Sequence, residues 1–193
     1  MKGYKMTVSK REKLLRGILK IIFIIYFLLL MRFTIFKYAA ITEPLKAFFL
    51  RSREYNIVPL KATLQMIRGL SPIRLIENLA GNIILFVPFG ILLPLAFKAR
   101  GKTILFGFLV SCFIEAMQFA FAMGAADVDD IILNTLGAVI GYLIYIIAKH
   151  IFKDQTVLLT VSAAVLGAGL AAGIFILYIA GYLVEGFPNI TFY

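Results

Sequence analysis

Long apolar runs separated by short polar and basic stretches dominate this chain. Five of them approach or exceed the ~20 residues that an α-helix needs to cross ~30 Å of hydrocarbon. These runs cover residues 17–38, 82–97, 103–122, 131–148 and 156–184. The pattern predicts an all-α bundle of about five transmembrane helices, forming a single membrane domain over residues 1–193.

The second run is short and contains Pro88, Gly90 and Pro94. A proline inside a helix removes a backbone hydrogen bond, and in lipid the freed carbonyl needs a partner from a neighbouring helix. We therefore expect this span to be kinked or unwound and to lie inside the bundle.

Two pairs of glycines have the small-xxx-small spacing of close-packed membrane helices. Gly137 and Gly141 lie in the fourth run, and Gly169 and Gly173 lie in the alanine-rich fifth run. Because small residues let two helix backbones approach, both pairs predict packing faces.

The connection over residues 42–77 mixes apolar and basic residues. This arrangement is typical of a helix that lies in the membrane interface, where basic side chains meet lipid phosphates. A solvated connector with incidental charge is the alternative. The apolar positions are Leu60, Leu64, Met66, Ile67 and Leu70.

Composition supports a membrane protein: 62% of the 193 residues are hydrophobic and only 16% are charged, with a mean hydropathy of +0.95. The net charge of +10 comes from basic residues that flank the apolar runs, which argues against nucleic acid as a partner. The single cysteine, Cys112, excludes a disulfide framework within the chain and a thiolate metal site.

Basic residues also predict the orientation. Most of those outside the 42–77 connection precede the first run or lie between the second and third and between the fourth and fifth. The positive-inside rule then makes the N-terminus cytoplasmic and places the C-terminus and residues 127–130 outside. The first run exceeds the ~7–15 residues of a signal-peptide core, so we expect it to remain as a helix.

Polar residues within the third run share one helix face, because Ser111, Glu115 and Gln118 are spaced i, i+4, i+7. An ionised carboxylate at mid-membrane costs roughly 2.5–3.5 kcal/mol, which marks Glu115 as a candidate functional residue. We expect it to face the bundle interior near Arg32 or Arg53. A purely structural, hydrogen-bonded carboxyl is the alternative.

An acidic cluster, Asp127, Asp129 and Asp130, precedes the fourth run, with Asn134 one turn further on. Aspartates at a helix N-terminus cap free amides and complement the helix dipole. Three carboxylates also repel one another unless a cation or proton is shared, and with Asn82 or Asn134 they would offer oxygen ligands for a divalent cation. We expect Asp127, Asp129, Asp130, Glu115 and Asn82 to converge in one site.

The motifs and their order resemble the VanZ-like family. They are Gly81-Asn82, Phe86 to Gly90 with Leu93-Pro94, Glu115 with Gln118, Asp127 to Asp130, Asn134 to Gly137, and Gly141-Tyr142, preceded by Arg53, Asn56 and Pro59. The resemblance covers about residues 53–145. It implies a small multi-pass protein of the bacterial plasma membrane, and the name-giving member is associated with resistance to teicoplanin, a lipoglycopeptide. Members often carry an arginine before the aspartates, where this chain has Gly124-Ala125-Ala126.

Three classes of function follow. The first is a VanZ-like protein that modifies or occludes a cell-surface target of lipoglycopeptides. The second is a membrane enzyme acting on a lipid or a polyprenyl-phosphate cell-wall precursor, with Glu115, Asp129 and Asp130 as catalytic residues. The third is an ion-coupled transporter. The candidate substrate-binding residues are Arg53, Asn56, Asn82, Gln118, Asp127 and Asn134.

Overall fold

A computed structural model describes residues 2–35, 55–68, 72–122 and 125–185. It is an all-α bundle, as predicted, and five of its helices are long and apolar enough to cross a membrane. The helices are α1 (Lys2–Ile35), α2 (Lys61–Arg68), α3 (Pro72–Phe97), α4 (Thr103–Phe121), α5 (Val128–Ile151) and α6 (Gln155–Glu185). Two short strands, β1 (Tyr55–Asn56) and β2 (Ala126–Asp127), accompany them.

Helix α3 begins ten residues before the predicted second span. Pro72 occupies the first helical position, where its fixed φ and missing N–H cost nothing. Residues 72–77 therefore belong to α3, which corrects the predicted extent of the connection over residues 42–77.

Pro88 and Pro94 lie inside α3 without interrupting it, so the span is not unwound, and the alternative of a kink stays a prediction. The expectation of a buried helix is confirmed: among the five spanning segments, α3 has the largest buried share. Side chains of α1 donate hydrogen bonds to the backbone of α3. The Tyr26 hydroxyl donates to the Leu85 carbonyl at 2.6 Å, and the Arg16 guanidinium donates to the Leu95 carbonyl. Arg16 thereby satisfies a carbonyl of the last turn and complements the helix dipole.

The most extensive helix pairing joins α3 to α5, and glycines make it close. A Cβ on Gly141 would collide with the Val87 carbonyl, and one on Gly90 would collide with the Ala138 carbonyl. Gly137 meets the Ile83 carbonyl in the same way. The packing face predicted for Gly137 and Gly141 is confirmed.

Helix α6 packs mainly on α1, and its glycines behave differently. A Cβ on Gly169 or Gly173 would meet no atom of the described part of the chain within 4 Å. The close packing predicted for this pair is therefore wrong. Both glycines instead border an open apolar groove between α1, α3 and α6.

The two ends of the bundle differ in chemistry. At one end a 3-10 turn, Arg100–Lys102, joins α3 to α4, and a cleft of about 450 Å³ lies between α1 and the end of α3. Its basic lining residues are Lys13, Arg16, Lys20 and Lys98. We call this the basic end. The opposite end, which contains β1, β2 and the start of α5, is the acidic end.

At the acidic end, β1 and β2 pair in parallel, with Tyr55 opposite Ala126 and Asn56 opposite Asp127. No pattern in the sequence predicts this pairing. The connection also contains the amphipathic helix α2, on which Leu64 and Ile67 are exposed. Its location in a membrane interface stays a prediction.

Candidate functional site: a polar cavity at the acidic end

Asp127 is the N-cap of α5. Its backbone is extended, with φ −126° and ψ 125°, and its carboxylate accepts the Asp129 N–H at 2.9 Å. The Asn56 side-chain amide donates to the same oxygen at 2.9 Å. Asp127 thus caps the helix, as one of the two interpretations predicted. The pairing of β1 with β2 places Asn56 next to its carboxylate.

Asp129 caps a different helix. Only 3% exposed, its carboxylate accepts hydrogen bonds from the backbone N–H of Leu60 and from the N–H and hydroxyl of Thr63, the latter at 3.1 Å. Leu60 has a φ of 62°, a left-handed conformation that costs a leucine about 1–3 kcal/mol. The carboxylate offsets this cost by fixing the first turn of α2 to the start of α5.

Asp130 and Glu115 complete the acidic group. The Asn82 side-chain amide donates to Asp130 at 2.6 Å, which joins α3 to α5. Glu115 is 5% exposed and accepts the Asp127 N–H at 2.8 Å, which joins α4 to β2. Glu115 therefore faces the interior, as its spacing predicts.

Two further amide side chains cross the bundle at this level. Gln118 donates to the Thr34 carbonyl at 3.0 Å, and Asn134 donates to the Ser111 hydroxyl at 2.9 Å. The remaining amide oxygens, Gln118 Oε1 and Asn134 Oδ1, are buried and have no hydrogen-bond partner among the residues that the structure describes. Such unsatisfied acceptors are rare in folded proteins, because burial removes the water that would otherwise donate to them.

These groups surround a cavity of about 100 Å³, the polar cavity. Its size suits a few water molecules or one small polar group. Four helices, α1, α3, α4 and α5, contribute to it. The lining residues are Phe33, Thr34, Gly81, Asn82, Leu85, Ile114, Glu115, Gln118, Asp130 and Asn134.

The polar cavity gathers only part of the predicted site. Glu115, Asn82 and Asp130 line it, whereas Asp127, which caps α5, and Asp129, which faces α2, do not. The five residues therefore do not all meet in one cavity, and their role in function stays a prediction. Within the described ranges, no three His, Cys, Asp or Glu side chains are grouped as a metal ion would require. The aspartates diverge because each carboxylate accepts bonds from a different segment.

Arg53 lies outside the described residues, and the proximity of Glu115 to Arg32 or Arg53 stays a prediction. Among the lining residues, sequence reasoning missed Phe33, Thr34, Leu85 and Ile114. Thr34 carried a signal, since it is a polar residue near the end of the first apolar run. Phe33, Leu85 and Ile114 carried none, because nothing distinguishes them from the other apolar residues of their runs.

The apolar groove adjoins the polar cavity. It has a volume of about 560 Å³ and lies between α1, α3 and α6, and Phe33 and Leu85 line both spaces. Its lining residues are Ile22, Tyr26, Leu29, Leu30, Phe33, Ile84, Leu85, Pro88, Leu92, Val165, Leu166, Gly169, Leu170, Gly173 and Ile174.

Comparison with known proteins gives two matches and one negative result. The model of the VanZ/LLP1 family matches residues 23–149, so the likeness reaches further upstream than the 53–145 region and includes part of α1. Protein VanZ of Enterococcus faecium is 35% identical over an alignment of 108 positions, and the match covers 53% of this chain and 67% of that protein. No solved structure matches. Since the family model covers more than half of the chain, the protein belongs to the VanZ-like family.

Proposed function

We propose that this protein lies in the bacterial plasma membrane and lowers susceptibility to teicoplanin-type lipoglycopeptides by acting on or occluding a target at the cell surface. Family membership supports the link to resistance. The observation that carries the choice of site is the polar cavity, because it collects buried polar side chains from four helices in an otherwise apolar bundle. Polar groups inside a membrane bundle are costly and mark functional positions.

The proposed orientation exposes the acidic end to the exterior. Its support is the concentration of cations at the basic end, which the positive-inside rule places in the cytoplasm. Lipoglycopeptides act on cell-wall precursors outside the membrane, so a site near the acidic end lies on the side where drug and precursor meet.

Cysteine labelling tests the orientation. On a Cys112→Ser background, a membrane-impermeant maleimide added to intact cells should label Ala125→Cys and leave Gly101→Cys unlabelled. Both positions are exposed, so accessibility within the protein does not differ between them. Labelling of Gly101→Cys alone would reverse the orientation and contradict an outward-facing site.

Drug susceptibility tests the function. Expressed in a susceptible Gram-positive host, the protein should raise the minimal inhibitory concentration of teicoplanin severalfold. Glu115→Gln and Asp130→Asn should remove that increase at unchanged protein level. Glu12→Gln and Asp154→Asn are matched controls near the basic end and should retain it. Full resistance in both cavity variants would contradict a role for the polar cavity.

An enzymatic function is a second candidate, because two carboxyl side chains, Glu115 and Asp130, line one buried cavity. Such a pair suits general acid–base chemistry on a lipid or polyprenyl-phosphate headgroup. Comparison of extracted lipids and wall precursors by mass spectrometry tests it. A product present only in cells with the intact protein, and absent with Glu115→Gln, supports an enzyme. Identical profiles contradict it.

A further inference from the structure

The cleft at the basic end, which we call the basic cleft, draws its cations from two segments that are distant in the sequence. Lys13, Arg16 and Lys20 lie on α1 at spacings of three and four residues, so they share one helix face. Lys98 directly follows α3, with a left-handed φ of 60°. The packing of α1 against the end of α3 therefore concentrates positive charge in a space of about 450 Å³.

This charge exceeds what nearby carboxylates can neutralise. None of the described residues that line the basic cleft is acidic. Glu12 is the only acidic residue in the sequence of α1, and the sequence between Glu77 and Glu115, which includes Lys98, has none. Asp154, at the same end, accepts the backbone N–H groups at the start of α6. Like charges brought together repel one another, so an anion in the basic cleft would stabilise it.

Two of the four cations are held in place by neutral groups. The Arg16 guanidinium, which has five N–H donors, donates to the Leu95 carbonyl. The Lys20 ammonium lies 5.6 Å from the centre of the Phe97 ring, a cation–π contact. A carbonyl and an aromatic ring carry no net charge, so both side chains are positioned and keep their positive charge for a ligand.

The side chains of the basic cleft suit a phosphate group. A guanidinium offers phosphate a fork of parallel N–H donors, and lysine ammonium groups add compact point charges. The volume of the cleft falls within the range of ~300–1,000 Å³ of pockets that hold small ligands. The shared chemistry of the candidate ligands is thus a phosphate with a net negative charge.

The surroundings of the basic cleft favour a lipid as the source of that phosphate. The second spanning segment ends at Phe97, so the cleft lies where hydrocarbon gives way to headgroups. Phe97 lines the cleft and is 45% exposed, which adds an apolar surface beside the cations. On the same stretch of α1, Leu14 and Ile18 are exposed, as expected for a helix surrounded by acyl chains. A soluble phosphate needs none of these apolar neighbours.

We propose that the basic cleft binds the phosphate of an anionic membrane phospholipid in the leaflet at the basic end. The excess of cations selects a lipid with a net negative charge, such as phosphatidylglycerol, over phosphatidylcholine, in which the choline offsets the phosphate. This site goes beyond the proposed function, because it lies at the opposite end from the polar cavity and depends neither on resistance nor on the orientation of the protein.

Native mass spectrometry of the full-length protein tests the proposal. The protein is reconstituted in nanodiscs that contain equal amounts of phosphatidylglycerol and phosphatidylcholine with identical chains, and is then released in mild detergent. We expect at least tenfold more retained phosphatidylglycerol than phosphatidylcholine. Equal retention of the two lipids, or no retained lipid, overturns the proposal.

Two double variants locate the preference. Lys13→Gln with Lys98→Gln removes two cations from the basic cleft, and both positions are exposed. Arg11→Gln with Lys102→Gln removes the same charge from exposed positions at the same end that do not line it. We expect the first pair to lower the preference for phosphatidylglycerol roughly tenfold and the second to retain it. Equal preference in the two double variants would mean that the whole basic end attracts anionic lipid, which overturns a site in the cleft.

A binding measurement with inorganic phosphate separates a lipid from a soluble anion. The protein in nanodiscs of phosphatidylcholine alone is dialysed against radiolabelled phosphate at millimolar concentration. Equal, low binding by the unmodified protein and the Lys13→Gln, Lys98→Gln variant supports the lipid. Stoichiometric binding by the unmodified protein that this variant loses assigns the basic cleft to a soluble anion and overturns the choice of a lipid.

Discussion

The α3–α5 and α1–α6 interfaces contain the same glycine spacing but pack differently. On α5, Gly137 and Gly141 lie against the α3 backbone, whereas Gly169 and Gly173 on α6 border the apolar groove. The partner helix makes the difference. Helix α3 offers Gly90 at the crossing, while residues 18–35 of α1 contain no Gly, Ala or Ser. A small-xxx-small pair thus allows close packing, and a small residue on the opposite helix completes it.

The largest effect should come from a methyl group at the close crossing. Gly141→Ala places a Cβ against the Val87 carbonyl and the Gly90 Cα, so the two backbones must separate. We expect the free energy of unfolding to fall by about 1–3 kcal/mol, the usual cost of overpacking. The purified protein is heated to a series of temperatures, and size-exclusion chromatography measures the folded fraction that remains at each one. The midpoint of this curve reports the loss of stability. An unchanged midpoint would show that the α3–α5 crossing is not tightly packed.

A smaller loss should follow from removal of the Asp129 cap. Asp129→Ala leaves the Leu60 and Thr63 amides without their acceptor, and we expect a loss of about 0.5–2 kcal/mol. Asp129→Asn keeps one acceptor oxygen and should lose less. Hydrogen exchange localises the effect: amides of α2 should exchange faster, while those at the α3–α5 crossing stay protected. Equal exchange in α2 for the alanine variant and the unmodified protein would contradict the capping role.

The smallest effect, with the opposite sign, is expected in the groove. The Cβ of Gly173→Ala meets no atom within 4 Å in the described ranges, and the change removes a flexible glycine from a helix, so we expect stabilisation of about 0.5–1 kcal/mol. The same unfolding assay compares it directly with Gly141→Ala. If Gly173→Ala and Gly141→Ala both destabilise the protein, α6 packs as closely on its neighbour as α5 does, and the two interfaces do not differ.

Local sequence patterns predicted the features that depend on one helix at a time. Hydrophobic run length found the five spans, and the i, i+4, i+7 spacing found the interior face of Glu115 and Gln118. Helix capping by Asp127 was one of two interpretations of the acidic cluster. The position of Asp127 directly before α5 was enough to suggest it.

Features that depend on two distant segments were not predictable in this way. Asp129 bonds residues about 66–69 positions away, and its periodicity on α5 gives no sign of α2. The β1–β2 pairing involves only two residues on each strand, too few for an alternating pattern. Whether Gly169 and Gly173 pack closely depends on the bulky side chains of α1, and no pattern within α6 contains that information.

The long separation between α2 and its cap has a consequence for biosynthesis. Leu60 is synthesised 69 residues before Asp129, which at ~5–20 residues per second corresponds to about 3–14 s of translation. During that interval α2 and β1 lack both their acceptor and their paired strand. We therefore expect the segment over residues 55–68 to acquire protection from proteolysis only after α5 has entered the membrane, so that a nascent chain arrested before Asp127 is cleaved there and one arrested beyond Ile151 is not.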